Sequence, residues 1–148
     1  MVPMKKTLLI LKQLIEERML LSEQILSAYD WDDLLDARDS NEQFEAQWLC
    51  VDSEVNQLLR VEEIESGVRQ LAEDVRRESF LVVSEATRQH ELASYISDDF
   101  GLIARAVIVG YDDPWLNGLW MAYKGQSLPK PPIEEYPGKL SNLICGKT

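Results

Sequence analysis

Ten apolar residues between Phe44 and Val75 constrain this chain more than any other feature. Phe44, Trp48, Val51, Val55 and Leu58 follow at steps of four, three, four and three, and Val61, Ile64, Val68, Leu71 and Val75 resume the run. Such spacing puts the large side chains on one side of an α-helix, whereas a strand would alternate them with a period of two. The step from Leu58 to Val61 adds a second consecutive three, a stammer in the repeat. Two arrangements satisfy it: one helix from about 41 to at least 76, or two helices meeting near Arg60. No proline or turn cluster interrupts the run and Gly67 alone would only weaken a helix, so the continuous helix is the expectation.

Helical spacing recurs elsewhere without any strand-length alternation. This predicts an all-α fold: a helical bundle around one long helix (about 41–76 or longer), with a C-terminal helical subdomain and a proline-rich tail. At 148 residues the chain is expected to be one domain, with a long-helix part over 7–88, the subdomain over 90–125 and the tail over 126–148. A first helix should run from Thr7 to Ser27, its stripe made by Leu8, Leu11, Ile15, Met19, Ser22 and Leu26. In "AYDWDDLLDARDS", Asp30, Asp32 and Asp33 should start a turn or one-turn helix pinned by Leu34 and Leu35. Ser40 followed by Gln43 reads as a capping box for the long helix.

Phe80 to Val83 is apolar all round and is taken as helix, Arg88-Gln89-His90 as a joint, and Leu92, Ile96, Phe100, Ile103 and Val107 as a helix ending before Gly110. That helix is expected to kink or restart at Ser97-Asp98-Asp99. Asp113, Pro114 and Gly125 frame a helix of about 11 residues: a capping carboxylate, a proline at the first position and a glycine after the last. The proline-rich stretch that follows must be extended, and Leu140, Leu143 and Ile144 can dock back.

Several function classes fall away. The apolar run at Leu8–Leu11 is cut by Lys12 and Gln13, too short for a secretory signal, and no run approaches a membrane span. A cytoplasmic location is expected. Cys50 and Cys145 lack metal-ligand spacing and read as thiols. Residues 16–74 hold 17 acidic and 4 basic side chains, a net of −13 against −11 for the whole chain. That field repels nucleic acid and anionic lipid and speeds encounter with a basic protein.

No catalytic signature is present. His90 is the sole histidine, and no G-x-S-x-G, H-E-x-x-H or glycine-rich phosphate loop accompanies it. The doublets Asp32-Asp33, Asp98-Asp99 and Asp112-Asp113 resemble carboxylate sites, but two of them stand where helices begin, which capping explains. No cofactor or metal is expected. The reading is a non-catalytic acidic protein-binding module, an intracellular inhibitor or immunity-type protein that neutralises a basic protein partner. Asp32, Asp33, Asp36 and Glu42 would steer the partner, and the aromatic helix bearing Trp115, Trp120 and Tyr123 could supply contact area. Two alternatives stand beside it: a structural homo-oligomer, possible as a homodimer, pairing through the 44–75 seam, and an enzyme with a carboxylate site around Asp98, Asp99 and His90.

Overall fold

Helices account for all the regular structure in the described residues, and they pack as a bundle, so the all-α expectation holds. The computed structural model describes residues 4–27 and 30–146. In chain order the helices are α1 (Met4–Glu16), α2 (Glu23–Ser27), α3 (Trp31–Asp39), α4 (Glu42–Val61), α5 (Ser66–Thr87), α6 (His90–Val109), α7 (Pro114–Lys124) and α8 (Leu140–Ile144).

The helix at the centre is α6. Thirteen of its residues are buried, because α4 and α5 pack along it, α1 also touches it, and Tyr123 of α7 meets it at Asp99 and Phe100. Its neighbours bury their seams inward: Phe44, Val51 and Val55 on α4, Val68, Leu71, Val75, Val82 and Val83 on α5, and Leu8, Leu11 and Ile15 on α1. Six of the ten seam residues are thus buried by the chain's own helices, while Trp48 and Ile64 are half-buried and Leu58 and Val61 stay exposed.

The expected long helix is two helices. Glu62 and Glu65 are extended, and Val61 is 80% exposed at the break. Two forces select this. A straight helix from Glu42 to Thr87 would measure about 69 Å, far beyond the width of a domain this size. The break also opens a helix N-terminus just behind Glu63 and Glu65, where the positive end of α5 favours their carboxylates. The stammer marked the place.

The first helix also stops early. Arg18 turns left-handed (φ 57°), and Met19 N–H reaches back to the Leu14 carbonyl at 3.0 Å, the six-to-one bond of a helix C-terminus. The turn puts Leu20 and Leu21 in the core and leaves Met19, assigned to the stripe, 55% exposed. Ala28 and Tyr29, where the next stretch opens, lie outside the described residues. The segment around Asp30 extends into α3, nine residues long, capped by the Asp30 side chain on Asp33 N–H.

Ser40 is the C-cap of α3. The cap of α4 is Asn41, whose side chain accepts from Phe44 N–H at 2.8 Å, while the Ser40 hydroxyl donates to the Asp36 carbonyl at 2.7 Å. The α6 helix does not restart at Asp98-Asp99 but runs through it, since Asp99 is held by side chains and has no backbone end to cap. The α7 helix begins and ends where Asp113, Pro114 and Gly125 place it.

From Gln126 to Lys139 the chain has neither helix nor strand and is strapped over α7. Asn117 Nδ2 donates to the Tyr136 and Gly138 carbonyls, at 3.1 and 2.8 Å, and Tyr136 N–H donates to the Pro114 carbonyl at 2.9 Å. Gly118 is what lets the strap lie so close, because a Cβ there would overlap the Glu134 carbonyl oxygen. Leu140, Leu143 and Ile144 of α8 are buried, and α8 touches both α1 and α7.

Candidate functional site

The site begins with one buried carboxylate. Asp99 is fully buried in α6, where a lone charge would be prohibitively costly, and four donors from three other helices satisfy it. Arg38 of α3 grips it with both terminal nitrogens (Nη1 to Oδ2 2.9 Å, Nη2 to Oδ1 2.8 Å). Trp48 of α4 donates Nε1–H to Oδ1 at 3.0 Å, and Tyr123 of α7 donates its hydroxyl to Oδ2 at 2.6 Å. Burial alone would pull the Arg38 guanidinium down, but the charge of Asp99 and the hydrogen bonds outweigh it and hold Arg38 above its usual range. Burial, and then the charge of Asp99, push the Tyr123 hydroxyl well above its ordinary value, so it stays a donor.

Arg38 also lies over two rings, 4.6 Å from the Phe44 centroid and 5.5 Å from that of Tyr95. Tyr95 donates its hydroxyl to Asp39. That bond, with smaller contributions from burial and from the Asp39 charge, raises it to about 12.

Above this network opens a groove of about 440 Å³ between α3, α4 and α6. Burial orders its lining. Arg38, Asp99 and Phe44 are buried and form the floor, and Trp48 and Tyr95 are half-buried walls. Asp39, Glu45, Leu49 and Asp98 are exposed at the rim. The rim carries three carboxylates, and Leu49 stands 54% exposed among them. Asp98 has only the exposed Arg76 at 3.5 Å, and no ion pair reaches Glu45 among the described residues. The groove is therefore apolar-walled and negatively rimmed.

The acidic candidates continue that rim outward. Asp32, Asp36 and Asp39 fall at steps of four and three along the exposed face of α3, while Leu34, Leu35 and Arg38 turn inward. Asp32, Asp36 and Glu42 are exposed, with no ion pair among the described residues; Asp33 pairs with Lys130 of the strap at 3.0 Å.

The aromatic candidates lie elsewhere. Trp120 and Tyr123 are fully buried and Trp115 is 6% exposed, so they present no contact area to a partner and the reading of α7 as a docking helix is corrected. The chain's own strap, α6 and α8 cover that helix.

The three residues of the carboxylate-enzyme alternative have separate partners. Asp99 spends its lone pairs on Arg38, Trp48 and Tyr123. Asp98 faces Arg76, and His90 hydrogen-bonds Ser84 at 2.9 Å and stacks on Phe80, so the three residues do not converge. Among the described residues no group of acidic, histidine or cysteine side chains is arranged to hold a metal, and no helix is long and apolar enough to cross a membrane.

Arg38, Asp39, Glu45, Leu49 and Tyr95 were not singled out from sequence, and Trp48 was read only as part of the apolar seam. One signal was present: Leu49 stands off the seam beside Trp48, an apolar side chain with no inward face to join.

The model of one protein family, immunity protein PIM1, matches residues 10–130, which include every residue lining the groove. The chain belongs to that family. No protein of curated function and no solved structure matches it.

Proposed function

We propose that this chain is a non-catalytic immunity protein that acts in the cytoplasm by binding and neutralising a basic protein partner. The family match over residues 10–130 carries the reading. An immunity protein needs a surface that holds its target and no chemistry of its own. Two features support a basic partner: the net of −13 over residues 16–74, and the exposed carboxylates Asp32, Asp36, Glu42 and Glu45, which have no ion pair among the described residues. Like-signed surfaces of other proteins would be turned away by the same field.

The test is to express each basic protein encoded beside the chain's own gene in a cell that it harms, with and without the chain. Restored growth, together with co-purification of the two proteins, is the expected result. A chain that restores growth against none of them and binds none overturns the reading.

A further inference from the structure

We propose that the groove between α3, α4 and α6 is the anchor point of the complex and receives an arginine side chain from the basic partner. The inference rests on the reading of the chain as an immunity protein and adds to it the place and chemistry of recognition.

Charge complementarity selects a cation. The rim presents Asp39, Glu45 and Asp98, and the chain supplies against them one neutral tyrosine hydroxyl and one exposed arginine at 3.5 Å. The walls select which cation. Trp48 and Tyr95 offer ring surface beside those carboxylates, and a planar guanidinium can lie on a ring while its fork donates to a carboxylate. A lysine ammonium, compact and strongly hydrated, would use the charge but has no planar face to lay on a ring while it donates to a carboxylate.

The groove is also held in shape before anything binds. The Asp99 bond fixes the Trp48 indole, the Asp39 bond fixes the Tyr95 ring, and Arg38 backs both Phe44 and Tyr95. Preorganised aromatic walls lose little side-chain freedom on binding, which is how a small patch comes to dominate an interface. At about 440 Å³ the volume lies within the range of pockets that enclose a bound group, roughly 300–1,000 Å³.

The experiment uses the full chain and the basic neighbour that it neutralises. Glu45→Lys and Leu49→Arg fill the groove with positive charge at exposed positions, and unchanged thermal melts verify that each variant folds. Each is expected to weaken binding by about 30-fold or more, as at an interface hot spot. Asp32→Lys, on the exposed face of α3 outside the groove, is expected to slow association by only a few-fold. Each arginine of the partner is then replaced by alanine and by lysine. One of them should reproduce the loss, lysine should not restore it, and its effect should be non-additive with Glu45→Lys. If the groove variants neutralise and bind as the parent chain does, or if no partner arginine couples to Glu45, the groove inference falls while the immunity reading stands. If the parent chain binds no basic neighbour, both fall together.

Discussion

Asp99 is the residue on which the rest of the site depends. Its carboxylate receives hydrogen bonds from α3, α4 and α7 at once, and none of the charge is shared with water. Asp99→Asn leaves Arg38 buried without its counter-ion and is expected to cost about 3–5 kcal/mol, measured by urea unfolding. Replacing the buried partners together with apolar residues, Arg38→Met and Asp99→Leu with Tyr123→Phe so that no buried hydroxyl is stranded, should recover much of that loss. Recovery of stability without recovery of binding would separate the scaffold role of the pair from its contribution to the groove.

The tyrosines set an alkaline limit. Tyr123, raised by burial and then by Asp99, and Tyr95, raised to about 12 by the bond to Asp39, hold their protons more tightly folded than unfolded, where the ordinary value is 10.0. The unfolded state therefore releases protons first as pH climbs. Their contribution is whole below about pH 10 and is lost as pH rises toward the folded-state values. Thermal melts from neutral pH upward should show stability falling above about pH 10, and the double variant Tyr95→Phe, Tyr123→Phe should show a shallower fall. A slope unchanged by the double variant would rule these two tyrosines out as its source.

At the scale of elements, the ends of helices were less legible than their faces. The cap of α4 illustrates why: Ser40 and Asn41 are adjacent, both are good caps, and only the turn joining α3 to α4 decides between them. Asn41→Ala should cost about 1 kcal/mol, and Ser40→Ala, which removes a hydroxyl bonded only to the Asp36 carbonyl, clearly less. The reverse order in paired unfolding curves would restore Ser40 as the cap. Where three signals coincided, at Asp113, Pro114 and Gly125, the element was legible in full. The strap over α7 was legible only as extended chain, because nothing local shows that Gly118 clears the Glu134 carbonyl. Gly118→Ala should lift the strap and cost about 1–3 kcal/mol, visible as a lower melting temperature and faster proteolysis within residues 126–139.

At the scale of the whole molecule, residues 16–74 carry a net of −13, and the exposed face of α3 and the rim residues Asp39 and Glu45 belong to that stretch. Neutralising Asp32, Asp33, Asp36 and Glu42 as amides should slow association with a basic partner about ten-fold or more at low salt. The difference should close as the screening length shrinks from about 10 Å at 0.1 M to about 3 Å at 1 M. Equal stopped-flow rates for the two proteins at low salt would exclude a steering role for these four charges.

Fold class, the positions of most inward faces, the α7 helix and the sign of the field follow from the sequence by itself, since each rests on residues within a few turns of one another. Helical spacing is local, and so is net charge. The break between α4 and α5, the central place of α6, the burial of Trp115, Trp120 and Tyr123, and the groove were decided only by tertiary structure. They join residues as far apart as Arg38, Trp48, Asp99 and Tyr123, whose partnership depends on which helix lies beside which. A carboxylate that reads as part of a helix restart or of a carboxylate site becomes the buried hub of the molecule once three other helices bring their donors to it, and no spacing rule contains that information.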